Sequence, residues 1–535
     1  MHSSSAAAWN LLMATPPRPI QPLRSASPPR RRLGLRTTVG ILLLASAAAF
    51  FAEQRAMAET ASRVSIAFRI DDPQQRIDGF GASGAWWASV VGQWDQGKLD
   101  TILSLLYAPE GAHLSIYRHN IQAGGGDEIV NAWRTTPTIE TQPGRYDWSA
   151  DPGSHRVLRA VRELGVEHMV FFANSPPPRL TISGMVSGGG EGGVNLRPGA
   201  ERDFARYLVD VAEHWRTDLG LKTAVLSPCN EPNWKWPGDP EYRSQEGCHF
   251  EPDGVARLTA ATLAEIQERG APLTVEAGEF GEWWGGSGDY IAKTIELILE
   301  REKDSGALGA VAVHSYWHTT ESRRVLREYV AERWPSVPVA MTEVTQMKWG
   351  RGRGMDAALE LAMVMMEDLA VGHATSWSFW TAVSGHDYHD GLVYVYPDES
   401  PMPIEGWSRS GQPEPERVVL TSKRLWLLGH FSRFVRPGSH RVPLNISAIG
   451  DDGLRGVGFR PEQTDEGEGV TAVLVLANHT RQPKALELQT PDGYRVLGIE
   501  QWITDDARDC VAAPTSDGLV APPRSLVTLV VQLDR

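Results

Sequence analysis

Two glutamates stand where apolar runs end, Glu231 in Leu-Ser-Pro-Cys-Asn-Glu-Pro and Glu343 in Val-Pro-Val-Ala-Met-Thr-Glu-Val-Thr-Gln. Each run reads as a buried strand that closes on a carboxylate. A parallel barrel delivers the C-terminal ends of all its strands to one face, so carboxylates 112 positions apart can meet there. Paired carboxylates across a pocket cleave glycosidic bonds. One must carry a proton at working pH, which requires burial or a neighbouring carboxylate to raise its affinity for it. Asn230 is placed to hydrogen-bond a sugar hydroxyl. A gap of roughly 5 Å between the carboxyls gives retention and roughly 6.5–9.5 Å gives inversion; the sequence leaves that choice open.

Other strand ends carry supporting groups: Arg118, able to hold Glu343 ionised, and Asn174, Glu279, His314 and Tyr316. The 19 Trp outnumber the 12 Tyr and the 13 Phe. Trp86, Trp87, Trp234, Trp236, Trp283, Trp284, Trp317 and Trp380 lie near strand ends or in glycine-rich loops, and Trp86, Trp87 and Trp380 are expected to stack on sugar faces. His386, Asp387, His389 and Asp390 share one polar loop and are not expected to bind metal. No metal or other cofactor is expected.

The elements that must position these groups are legible between residues 78 and 383. Eight strand candidates alternate with amphipathic stretches: IDGFGASGAWW, HLSIYRHNI, HMVFFANSPPP, AVLSPCNEP, LTVEAGEF, AVAVHSYWH, VAMTEVTQ and ATSWSFWTAV. Phe204, Tyr207, Leu208, Val211 and Trp215 follow the spacing of one buried helical face. Another helix is expected with Asp253 as N-cap, Val255, Leu258 and Ile266 buried, and Gly270 as the stop. The segment 356–372 is apolar nearly all round. Eight alternations imply an α/β fold, a (β/α)₈ TIM barrel over residues 78–415.

Beyond the barrel, a helix-like KRLWLLGHFSRFV leads into short strand-like runs, the signature of an antiparallel β-sandwich over 416–535. RVSIAFRIDD, within residues 59–77, is strand-like too, and is expected to join it, so that both chain ends build one side domain. GGGEGGVNLRPG reads as a mobile loop at the barrel mouth.

Residues 1–58 read as a signal peptide, with Arg30, Arg31, Arg32 and Arg36 before the apolar run 39–52 and Ala56-Met57-Ala58 as a cleavage site. A secreted or periplasmic location is expected, with no membrane partner beyond a leader anchor. Net charge is −14, and a chain starting at Glu59 would carry −20. Such a balance disfavours nucleic acid and anionic membranes, which reward basic patches, and fits a neutral polysaccharide substrate. Three cysteines, Cys229, Cys248 and Cys510, exclude a disulfide scaffold, although Cys229 and Cys248 could pair. Oligomeric state is left open.

With these residues placed, the chain resembles glycoside hydrolase family 30 over nearly its whole mature length. IDGFGASGAWW, LSIYRHNI, ANSPPP, LSPCNEP, QEGCHF, VHSYW, MTEVTQ and LGHFSRFVRPGS carry the likeness. The resemblance implies a retaining enzyme with Glu231 as acid/base and Glu343 as nucleophile. GASGAWWA together with QEGCHF looks most like the endo-β-1,6-galactanase branch, which cuts side chains of type II arabinogalactan. Glucuronoxylanase, β-1,6-glucanase and glucosylceramidase-like activities are the alternatives within the family. A non-catalytic carbohydrate-binding barrel is the alternative outside it.

Overall fold

The computed structural model describes residues 61–125, 128–129, 131–237, 245–302, 305–396, 418–447, 453–462, 469–516 and 518–535. The leader lies outside these residues, as does part of the polar stretch that follows the last barrel strand.

Strand β1 (Ser62–Phe68) precedes the barrel. The barrel strands are β2 (Gly79–Ser83), β3 (Ile116–Ile121), β4 (His168–Ala173), β5 (Ala224–Ser227), β6 (Leu273–Glu282), β7 (Leu308–Trp317), β8 (Val339–Glu343) and β9 (Ser376–Phe379). They close in sequence order, β9 pairing back to β2, and every pairing is parallel. All eight coincide with the apolar runs of the sequence. Their residues are buried on both faces because helices cover the outside and side chains fill the inside.

A helix follows each strand: α1 (Gln96–Tyr107), α2 (Pro152–Glu163), α3 (Glu201–Asp218), α4 (Pro252–Arg269), α5 (Gly288–Glu302), α6 (Thr320–Arg333), α7 (Met355–Ala370) and α8 (Lys423–Ser432). On α3 the stripe of Phe204, Tyr207, Leu208, Val211 and Trp215 is buried as its spacing predicts. The N-cap of α4 is Glu251, two residues before the expected cap. Pro252 occupies the first turn, where its missing N–H costs nothing, and Asp253 lies inside that turn. Gly270 ends α4 in the left-handed region at φ 61°, a conformation that favours glycine. The largely apolar α7 buries ten side chains, including Leu359, Leu361, Met365 and Leu369.

The chain ends build two further sheets. One has four strands in the order Leu444–Ser447, β1, Lys484–Gln489 and Val520–Ala521. The other has six, in the order His440–Val442, Leu454–Arg460, Gly469–Asn478, Ser525–Asp534, Arg495–Thr504 and Val511–Ala513. The six-stranded sheet is antiparallel throughout. In the smaller sheet, β1 runs parallel to Lys484–Gln489, the one departure from the expected antiparallel pattern among its described pairings. Val64 and Ile66 of β1 share a core with Leu474, Leu476, Leu529 and Val531, so the sheets pack face to face. His430 of α8 bonds Thr528 and Thr504, joining the last barrel helix to the larger sheet.

The glycine-rich segment is fastened rather than mobile. Bridges join Thr181 to Leu196, Gly189 to Pro237 and Val194 to His249. At Gly188 (φ 123°) a Cβ would lie 2.1 Å from the Trp236 carbonyl oxygen, so this glycine serves close backbone approach. Among the described residues, no helix is long and apolar enough to cross a membrane.

Candidate active site

Arg118, within β3, is the hub of the site. It is 1% exposed. Its Nη1 donates to Glu343 Oε2 at 2.8 Å, and its Nη2 donates to Glu279 Oε1 at 2.5 Å and to Asn230 Oδ1 at 2.9 Å. The ring of Phe172 lies 3.5 Å beneath its guanidinium carbon. Strands β3, β6 and β8 and the turn after β5 thus bring Arg118, Glu279, Glu343 and Asn230 to one point.

Glu343 receives a second donor from β7, the Tyr316 hydroxyl at 2.7 Å from Oε1. One charged and one neutral donor fix the orientation of this carboxylate. Glu231, just beyond β5, has a different setting. Its Oε1 lies 3.0 Å from His314 Nδ1. Burial, the largest influence, raises its proton affinity, and the charges of Glu343 and Glu279 raise it further against the opposing effect of His314. Burial alone would lower the proton affinity of His314, but Glu343, Glu231 and Glu279 around it raise it to about 9. The Glu231–His314 pair therefore retains a proton at neutral pH. The two carboxylates differ in setting: Glu343 is aimed by Arg118 and Tyr316, and Glu231 is linked to a proton through His314.

Glu231 (φ 45°) and Glu279 (φ 40°) both sit in the left-handed region. Such backbone costs on the order of 1–3 kcal/mol per residue and persists only where neighbours enforce it. Here the Glu231 N–H donates to the Glu279 carbonyl at 2.9 Å, so the two strained residues brace each other.

Several sequence expectations change at this point. Glu279 is fully buried; Arg118 engages one carboxylate oxygen and the Ser227 hydroxyl, at 2.6 Å, engages the other. It holds Arg118 rather than a sugar. Burial opposes ionisation of Glu279, but Arg118, His314 and Ser227 overcome it and bring its carboxyl down to about 2. His314 is also fully buried and contacts Glu231 rather than open space. Trp87 is fully buried, its indole donating to the Ser83 carbonyl at 2.9 Å, and so packs the core. Trp283 is buried likewise, bonding Ser315 at 2.6 Å. Trp86 and Trp380 meet edge to face at 5.2 Å beside Arg118, and Trp236 reaches the Glu231 carbonyl at 3.3 Å. Asn174 donates to Asn120 at 3.0 Å, and its own oxygen is buried without a protein partner.

Sequence reasoning passed over Asn120 and Glu246. The Glu246 carboxylate accepts from Thr136 at 2.6 Å, the Ala123 N–H at 3.1 Å and Asn120 at 3.4 Å. It therefore ties the QEGCHF segment to the loop after β3. The signal was present, a carboxylate inside a motif already noted, but nothing in the spacing fixed where that segment folds back. Cys229, Cys248 and Cys510 are free and buried. His386, Asp387, His389 and Asp390 do not converge: His389 Nδ1 faces the Gly350 carbonyl at 2.8 Å, whereas Asp390 packs beside Thr381.

Glu231, His314 and Glu343 each bring one ligand-type atom within 4.8 Å of the others, a spacing that would also suit a cation. In this structure those groups are engaged by hydrogen bonds among themselves and with Tyr316, while Arg118 supplies the positive charge. That donor set suits proton transfer and a held carboxylate.

The Glu279 setting has a thermodynamic consequence. A carboxyl with folded pKa about 2 against an ordinary 4.5 adds stability that is present above pH 4.5 and lost as pH falls toward 2. The size is about 3 kcal/mol. Denaturant unfolding between pH 5 and 2 is expected to show that loss in the parent chain. Glu279→Gln should be less stable at pH 5 and lose less on acidification. Parallel acid curves would remove Glu279 as an ionised partner of Arg118.

Comparison with known proteins bears on the fold and the family. The chain is 21% identical over 384 residues to an endo-β-1,6-galactanase from Hypocrea rufa, covering 66% of this chain and 73% of that protein. Its fold matches a conserved exported protein from Bacteroides fragilis with TM-score 0.73 and 24% identity, over 87% of this chain and all of that one. The catalytic domain of a GH30 xylanase C from Talaromyces cellulolyticus matches with TM-score 0.65 and 17% identity, over 87% and 99% of the two chains. Residues 63–394, more than half of the sequence and all eight barrel strands, match one family model, and the chain belongs to O-glycosyl hydrolase family 30.

Proposed function

We propose that this chain is an exported, retaining endo-β-1,6-galactanase in which Glu343 attacks the anomeric carbon and Glu231 handles the proton. The observation that carries the mechanism is the carboxylate spacing. One oxygen of Glu231 and one of Glu343 lie within 4.8 Å of each other, on the side of the roughly 5–5.5 Å of double displacement and short of the roughly 6.5–9.5 Å of inversion.

In the first step the Glu343 carboxylate, aimed by Arg118 and Tyr316, bonds to the anomeric carbon. The Glu231–His314 pair supplies a proton to the departing oxygen. In the second step Glu231, now a base, removes a proton from water as that water displaces Glu343. Both inversions together return the starting configuration. Asn230, held by Arg118, presents its amide toward the sugar being transferred.

Support for the galactan substrate is the likeness to the Hypocrea rufa galactanase, the GASGAWWA and QEGCHF segments, and the Trp86–Trp380 pair at the mouth. A β-1,6 link adds a rotatable bond, and stacking on tryptophan offsets the cost of ordering so flexible a chain. The arginines before the apolar run 39–52 and the Ala56-Met57-Ala58 site support export.

Purified protein is expected to release short galacto-oligosaccharides from de-arabinosylated arabinogalactan, at a rate unchanged by chelator. β-1,6-Glucan and glucuronoxylan should be poor substrates in the same assay. Preferential cleavage of glucuronoxylan would overturn the substrate reading, and binding without cleavage of any of the three would point to a non-catalytic barrel.

A further inference from the structure

One side of the barrel mouth holds three buried polar atoms without a protein partner: Trp86 Nε1, Arg134 Nε and Asp390 Oδ1. They form one neighbourhood. The guanidinium of Arg134 lies 5.0 Å over the Trp86 ring, and its Nη1 is fixed by Gln245 Oε1 at 2.6 Å. Asp390 is 4% exposed; its main-chain carbonyl accepts from the N–H of Thr381, the residue after Trp380, at 2.9 Å, and its carboxylate is hydrogen-bonded by Ser384. Trp380 in turn meets Trp86. Arg134 and Asp390 feel each other's charge, yet they form no ion pair among the described residues.

Leaving an oxygen of the buried Asp390 and the shielded Nε of the half-buried Arg134 without partners is costly, about 1–3 kcal/mol for each unsatisfied atom. A sugar hydroxyl satisfies both at once, accepting from the arginine and donating to the aspartate. The neighbourhood lies toward the Glu343 side of the mouth. Arg134 also senses Tyr316, whose hydroxyl holds Glu343, and Trp380 lies 6.0 Å from the Arg118 guanidinium that holds the same carboxylate.

We propose that Arg134 and Asp390, with the Trp86 indole N–H, clamp a hydroxyl of the sugar that is transferred to Glu343 and thereby select the hexose. The clamp rests on the glycosidase reading above and names its specificity-determining residues. It gives Asp390 a role as a hydroxyl acceptor. Arg134 is a local cation in an otherwise acidic chain.

The test uses Asp390→Asn and Arg134→Gln in the full chain, assayed on β-1,6-galactan and β-1,6-glucan. A parallel arm measures binding of β-1,6-galactotriose by calorimetry in the Glu343→Gln background, where turnover cannot interfere. Each substitution is expected to lower kcat/KM on galactan about tenfold or more, with KM rising more than kcat falls. The galactan-to-glucan preference should drop toward unity, and galactotriose Kd should weaken about tenfold. Combining the two substitutions should cost little more than the worse single one, because both hold one hydroxyl. Two variants guard against one failing to fold, and an unchanged melting temperature separates the clamp from a structural role. An active parent enzyme whose Arg134→Gln form keeps its preference and kcat/KM within twofold overturns the clamp alone. A parent inactive on every glycan overturns the glycosidase reading and the clamp with it.

Discussion

Glu343→Gln is expected to lower kcat by about 10⁴-fold or more while the protein stays folded. The amide has the size and shape of the carboxylate, so packing around a residue that is 4% exposed barely changes. Arg118 keeps its charge partner in Glu279, at 2.5 Å, so the substitution does not strand a buried cation. What disappears is the anionic oxygen that bonds to the anomeric carbon, and the two described carboxylates beside it are already engaged. Glu279 has both oxygens occupied, and Glu231 is engaged with His314. Kinetics on galactan, together with a melting curve to verify folding, decide the matter. A folded variant with near-normal turnover would remove Glu343 from its role.

The second large effect concerns Glu231→Ala. General acid assistance is worth roughly 10²–10⁴-fold, and it matters most when the leaving group is poor. Hydrolysis of galactan should therefore fall by about that factor, whereas an activated aryl glycoside should still form the glycosyl-enzyme at a useful rate. Deglycosylation then becomes slow, since water has lost its base. Azide fits the space vacated by the side chain and needs no base, so it should restore turnover and give a glycosyl azide. Equal losses on good and poor leaving groups, with no response to azide, would count against Glu231 as the acid/base.

How much of this was legible in the sequence depends on what fixed each feature. The barrel strands were readable because both faces of a parallel strand are buried, which leaves continuous apolar runs such as Ala-Val-Leu-Ser and Val-Ala-Met-Thr-Glu. Glu231 and Glu343 stood out because a carboxylate at the end of such a run has few reasons to be there. Direction beyond a strand end was not legible. Trp86 and Trp87 are adjacent, yet the first faces Trp380 at the mouth and the second fills the core under Ser83. Glu279 carried the right type and position for a sugar contact, but its burial beneath Arg118 depends on where β3 and β6 place their ends relative to each other.

Loops hid the rest. Arg134 and Glu246 lie between regular elements, and only tertiary folding brings Arg134 over Trp86 and Glu246 against Asn120. The glycines near residue 190 signalled freedom, whereas the structure uses Gly188 for contact with the Trp236 backbone. The strand Arg495–Thr504 lacked a clear apolar run because its first half is largely open to solvent.

The central claim is double displacement by Glu343 and Glu231. Proton NMR of the new reducing end during the first minutes of β-1,6-galactan hydrolysis tests it most directly, before mutarotation mixes the anomers. The account predicts that the β-anomer appears first and the α-anomer grows in later. If the α-anomer appears first, water attacks directly, and a nucleophilic Glu343 is contradicted.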